Sequence, residues 1–158
     1  MPINRAFLGR DLPPSELYDV GREKIREFAD AIGDPNPVYR SRTAAQALGH
    51  PDVVAPPTFA IVLSFRASNA VLFDPELGLD YSRVVHGEQR FVHSRPIRVG
   101  DVLVTRPRIT EIRGAGRNEL LTWEARISTV DGEPVCTATN TLVARGTART
   151  TEAFGGSA

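Results

Sequence analysis

Cysteine and lysine are nearly missing from this sequence, and its formal net charge is zero. A single cysteine, Cys136, rules out an intrachain disulfide. Its place in the strand-like run EPVCTATNTLV makes it a small core residue. Lysine is represented by Lys24 alone. Nineteen basic side chains balance nineteen acidic ones, and the arginines are scattered, so no footprint of nucleic-acid binding is present. No apolar run reaches the roughly 20 residues that a membrane-spanning helix needs. The opening MPINRAFLGRDL has no apolar core of signal-peptide length, so a cytoplasmic protein without a membrane partner is expected. Metal-ligand spacings, glycine-rich phosphate loops and nucleophile elbows are missing too, and neither metal nor cofactor is expected. What remains is a chain of 158 residues, long enough to bury a core as one domain.

The stretch that organises the rest is APPTFAIVLSFRASNAVLF, Ala55 to Phe73. Only Ser64, Arg66, Ser68 and Asn69 interrupt its apolar surface, and a helix apolar nearly all round must be surrounded by protein. Pro57 is a good first helical residue. From Ser82 onward the chain supplies a wrapper: four runs rich in Val, Ile, Leu, Thr and Phe, namely 82–94, 101–112, 118–130 and 133–145. Breaks fall at Pro96 to Gly100, Gly114 to Gly116 and Asp131-Gly132, the last a strong hairpin signal. Antiparallel strands curled around one helix satisfy both halves of the pattern.

Ahead of that helix, Met1 to Pro14 reads as an arm lying on another part of the molecule, and Ser15 to Val20 as a short first strand. REKIREFADAIG places Ile25, Phe28, Ala29 and Ile32 at helical spacing, and Gly33 stops the helix. Pro35 and Pro37 then deny helical geometry to Asp34 and Asn36, leaving a stiff loop. Ser41 caps a second short helix through Leu48. Residues 1–145 are expected to form one domain, and 146–158, which lose all periodicity, a disordered tail.

Two segments, GDPNPVY before the apolar helix and HSRPIRVGDVL after it, resemble the MaoC-like hydratases and dehydratases of the hot-dog fold. The family hallmark is G-D-x-N-P-x-H, whose Asp and His handle water in the reversible hydration of a trans-2-enoyl thioester. Gly33, Asp34, Asn36 and Pro37 match it; Tyr39 stands at the histidine position. Arg95, Pro96, Gly100 and Asp101 match the downstream R-P-x-x-x-G-D. With REKIREFA, APPTF and the missing histidine, the chain is most similar to the non-catalytic, substrate-binding subunit of actinobacterial (3R)-hydroxyacyl-ACP dehydratases. It is similar also to the N-terminal half of double hot-dog dehydratases. The resemblance implies an α+β hot-dog fold, a five-stranded antiparallel sheet around a long central helix. It also implies an acyl-CoA or acyl-ACP thioester as ligand, and a homodimer or a heterodimer with a catalytic MaoC-like subunit.

The chemistry then turns on Tyr39. Dehydration of a 3-hydroxyacyl thioester needs a base for the α-proton, an acid for the hydroxyl and donors for the thioester oxygen. Histidine titrates near neutrality, whereas a phenol with a pKa of about 10 is a poor base at pH 7. Asp34 and Tyr39 are therefore read as a degenerate catalytic pair, Asn36 as a substrate-binding or loop-bracing residue, and the N–H groups of Thr58 and Phe59 as donors at the helix N-terminus. His50 reads as a loop residue. Seven positions apart in one strand, His86 and His93 fall on opposite faces unless a bulge intervenes. The leading expectation is a binding subunit that needs an Asp/His-bearing partner. A self-sufficient homodimeric hydratase using Asp34 and a non-enzymatic acyl-thioester binding protein stand as alternatives. Thioesterase chemistry is disfavoured, because Ala55 to Phe73 contains no Asp or Glu.

Overall fold

The computed structural model describes residues 1–148. The elements are β1 (Tyr18–Asp19), α1 (Arg22–Ala31), α2 (Arg42–Ala47), α3 (Ala60–Leu72), β2 (Val84–His93), β3 (Val102–Ala115), β4 (Asn118–Thr129) and β5 (Pro134–Ala144). The five strands form one antiparallel sheet in the order β1-β3-β4-β5-β2, and its concave side carries α3. This is the five-stranded antiparallel sheet around a central helix that the resemblance implied. No described helix is long and apolar enough to cross a membrane.

The central helix opens with a 3-10 turn, Pro57–Phe59, before its α-helical part. Ala60, Leu63, Ser64, Ser68 and Leu72 are buried against the sheet. Two of these five are serines, whereas Ile61, Val62, Phe65 and Val71 are only half-buried. Hydrogen bonding explains the inversion: Asn140 Nδ2 of β5 donates to Ser64 Oγ at 2.8 Å, and Ser68 Oγ donates to Ser64 O at 2.8 Å. Buried hydroxyls are tolerated because they are paired. A single copy of the chain thus sheathes one side of α3 and leaves an apolar flank half-covered.

The two edges of the sheet are treated differently. Along the outer edge of β3 the N-terminal arm supplies the missing partner: Gly9 N–H donates to Ile109 O (2.8 Å), Leu12 N–H to Pro107 O (3.0 Å) and Ser15 N–H to Thr105 O (2.8 Å). The arm also seals the far end of the core, with Ile3, Phe7 and Leu12 packed beside Leu72, Leu77 and Trp123. The expected strand over Ser15 to Val20 shrinks to Tyr18–Asp19 because its first residues bond irregularly. At the other edge β2 runs ten residues with no strand beside it among the described residues. An uncovered edge of that length is a template for another chain.

A bulge decides what β2 presents. The register slips between His86 and Glu88, at Gly87, where a Cβ would lie 2.9 Å from Val143 Cγ2. The extra residue cancels the strict alternation. His86 packs edge-on against Phe65 of α3 at 5.6 Å, and His93 reaches Pro57 O at the start of that helix. Both therefore lie on the helix side, about 20 Å apart at strand rise, too far to share a metal ion. Elsewhere β3 runs through Gly114 to Ala115 and turns at Gly116, whose φ is +61°. Beyond β5, Gly146 N–H donates to Asn118 Oδ1 and Ala148 N–H to Arg117 O; residues 149–158, the bulk of the expected tail, lie outside the described residues.

Candidate functional site

The site grows from the end of α1. Gly33 adopts φ +71°, which reverses the chain so that Asp34 N–H donates back to Ala29 O at 2.9 Å. The loop then braces itself residue by residue. Asp34 Oδ1 accepts from Asn36 N–H at 3.0 Å, and Asn36 Oδ1 accepts from Val38 N–H at 3.0 Å, capping the 3-10 turn Pro37–Tyr39. Asn36 thus uses its side-chain oxygen to hold the loop. Arg40 fastens the loop from outside, donating to Asp34 O at 2.6 Å and pairing with Asp30 at 2.8 Å. Nothing local in the sequence marked Arg40, because its partners are set by the reversal at Gly33.

That bracing turns Tyr39 inward to 8% exposure, into the cluster that also holds Phe59, Ala60 and Leu63. Burial pushes its phenol above the ordinary tyrosine value, and the negative charge of Asp34 adds to the rise. At neutral pH Tyr39 is therefore a hydrogen-bond donor and not a base. Asp34 keeps its second carboxylate oxygen free of protein partners among the described residues. His50 forms no side-chain hydrogen bond among the described residues; its N–H donates to Ala45 O at 3.1 Å.

Opposite this loop lies the leading end of α3. Val53 to Pro56 delivers the chain there, held by Ala55 N–H donating to Ile97 O (2.7 Å) and Val99 N–H to Val53 O (3.0 Å). Among the described residues no side chain caps the helix or the 3-10 turn before it. The pair of donors expected at this end is corrected by half. Phe59 N–H donates to Pro56 O at 2.9 Å, and its ring is fully buried, edge-on to Phe28 at 5.4 Å. Thr58 is exposed, and its N–H has no partner among the described residues. Phe59 is a core residue because the tight 3-10 turn bonds its N–H to Pro56 O and carries its ring inward.

Behind this end, Arg95 joins Asp101 through two bonds of 2.9 Å each and Glu133 at 2.8 Å, and Asp101 also accepts from Arg98 N–H at 3.0 Å. The R-P-x-x-x-G-D motif is thereby a clamp on the turn that backs Ala55. Two carboxylates near this frame are held below their ordinary range: Glu133 by hydrogen bonding to Arg95, and Asp52 first by Val53 N–H and then by Arg22. A depressed folded-state pKa contributes stability that is present above the unfolded value and is lost as pH falls through the folded one. The melting temperature is therefore expected to be flat between about pH 6 and 8 and to drop below about pH 4.5. A maximum near pH 3 would contradict the assignment.

This geometry offers an acidic oxygen, a neutral phenol and one free backbone donor. It lacks an imidazole on the Asp34 loop. The chain is similar to known proteins over nearly its full length. Residues 6–138 match the family described as FAS1-like, dehydratase domain region. A UPF0336 protein of Saccharopolyspora erythraea is 57% identical over 152 residues, covering 96% of this chain and 97% of its own. Among solved structures, a chain of the C-terminally truncated HadBC (3R-hydroxyacyl-ACP dehydratase) complex from Mycobacterium tuberculosis superposes with a TM-score of 0.79 at 30% identity, covering 87% of this chain and 96% of that one. A MaoC-like dehydratase superposes at 0.80 with 32% identity, over 89% of this chain but 43% of its own length.

Proposed function

This chain belongs to the FAS1-like dehydratase-domain family and has the MaoC-like hot-dog fold, and from that premise we propose that it is the substrate-binding subunit of a cytoplasmic (3R)-hydroxyacyl-thioester dehydratase. It holds the acyl thioester of fatty-acid metabolism, as an ACP or CoA ester, while a second MaoC-like chain supplies the Asp and His that move protons. The observation that carries this reading is Tyr39: at the family's histidine position stands a buried phenol with a raised pKa. Losing a positioned base costs about 10²- to 10⁴-fold in rate.

The open edge supports the need for a partner. Phe73 at 63% exposure and the half-buried Ile61, Val62, Phe65 and Val71 leave apolar surface of α3 that this chain does not fully cover. Pairing another chain to β2 satisfies the strand's free backbone groups and covers that apolar surface. The structural relative from M. tuberculosis is itself part of a complex, HadBC, which agrees with this arrangement.

The test is an assay of crotonyl-CoA hydration by the purified chain, by an Asp/His-bearing MaoC chain, and by the two together. Activity that appears or rises at least tenfold on mixing is expected. Rapid turnover by this chain alone would refute the division of labour. It would favour the homodimeric hydratase, for which the free oxygen of Asp34 is the supporting observation. Acyl ligands that bind with no activity in any mixture would instead favour a non-enzymatic binding protein.

A further inference from the structure

We infer that His93 is a positioning residue that aims the Thr58 N–H at the acyl carbonyl; this rests on reading the leading end of α3 as the thioester site. Pro57 C=O and Thr58 N–H are the two ends of one planar peptide unit. His93 Nε2 lies 2.8 Å from Pro57 O, and a carbonyl oxygen only accepts, so Nε2 carries the proton. Nδ1 is buried and has no hydrogen-bond partner among the described residues. The short bond of the imidazole thus falls on the peptide unit at this end of α3 whose N–H is uncommitted among the described residues.

Two consequences follow from the geometry of a trans peptide. Its N–H points opposite to its C=O, so pinning Pro57 O toward the end of β2 turns the Thr58 N–H away from that strand. A hydrogen bond received at the carbonyl also polarises the unit and strengthens the N–H at its other end, by about 10–30% on the cooperativity estimated for hydrogen-bond chains. The helix dipole acts in the same direction. Pro57 has no N–H, Phe59 N–H is taken by Pro56 O, and no side chain among the described residues caps this end, so Thr58 is where the polarisation is felt.

The tertiary frame delivers the imidazole. The bulge at Gly87 brings His93 to the helix side, β2 ends there, and Ser94 N–H donates to Val135 O at 2.9 Å. The Arg95 clamp follows immediately. The other group near Nε2 is Cys136 Sγ at 3.9 Å; burial pushes its thiol up to about 11, so it stays a neutral thiol, a weak acceptor that does not displace Pro57 O.

The experiment uses the active two-chain complex and butyryl-CoA labelled with ¹³C at its thioester carbonyl, a saturated ligand that cannot be hydrated. The carbonyl stretch is read by infrared difference spectroscopy. Binding to the wild-type complex is expected to lower the frequency, and Thr58→Pro, which deletes the N–H, to abolish that shift. His93→Phe is expected to lose a clear part of the shift and to lower kcat three- to tenfold with a smaller change in KM, while His93→Gln, which keeps a donor, restores both. A shift that persists in Thr58→Pro overturns the location of the site. A shift lost in Thr58→Pro but unchanged in His93→Phe overturns the role of His93 alone. The Thr58 amide proton in ¹⁵N-labelled chain gives an independent reading: it is expected to move upfield in His93→Phe but not in His93→Gln, and an unmoved resonance refutes the inference even if Thr58→Pro does not fold.

Discussion

Tyr39→His is expected to raise this chain's unaided hydration of crotonyl-CoA by about 10²-fold or more, the usual worth of one positioned general base. The substitution restores the family's spacing of Asp34 and His, and the structure shows why the geometry survives. Position 39 is set by the Asn36 cap on Val38 N–H and by the Arg40 bonds to Asp34 O and Asp30, none of which involves the phenol. Asp34 lies near enough for its charge to raise the phenol's pKa, so an imidazole there has a carboxylate at hand, and an opposite charge favours the protonated form that serves as acid. In the two-chain complex the same variant should change turnover little, because the partner carries the chemistry. A correctly folded Tyr39→His that remains inert alone would mean that the binding end of α3 is not oriented for catalysis within this chain.

Arg95→Ala should destabilise the chain by about 3–5 kcal/mol, the cost of leaving one member of a buried ion pair without the other. For a domain of this size the melting temperature should fall by roughly 10 °C. The Arg95 and Asp101 side chains are 15% and 7% exposed, whereas Glu133 is 53% exposed. Glu133→Gln should therefore cost far less than Arg95→Ala, because a solvent-screened pair contributes little. Chemical denaturation of both variants separates the two halves of the clamp. The loss also reaches the site, because the turn that Arg95 braces bonds to Val53 and Ala55 on the way into α3. Arg95→Ala with wild-type stability would show that Asp101 finds other partners, such as Arg98.

The parts of the fold that are local were legible in the letters. Ile25, Phe28 and Ala29 repeat at helical spacing, and Pro57 opens the central helix where the sequence put it. Asp131-Gly132 makes its hairpin, with Gly132 at φ +91°. The loop Gly33 to Tyr39 was readable too, because its prolines and Asx caps act over two or three residues. The site was only half legible. Phe59 stands next to Thr58 in sequence, yet the 3-10 turn gives one a free N–H and the other a buried ring.

What this sequence determined by itself is the list of elements, the family loop and the exchange of histidine for Tyr39, since each depends on neighbours a few residues apart. The tertiary structure alone decided the rest. It laid the arm along β3 so that β2 is the open edge, made a clamp of Arg95, Asp101 and Glu133, and used a bulge at Gly87 to carry His93 to Pro57, 36 positions away in the chain. Contacts at that separation follow from sheet register and packing, and no periodicity in a single chain encodes where they fall.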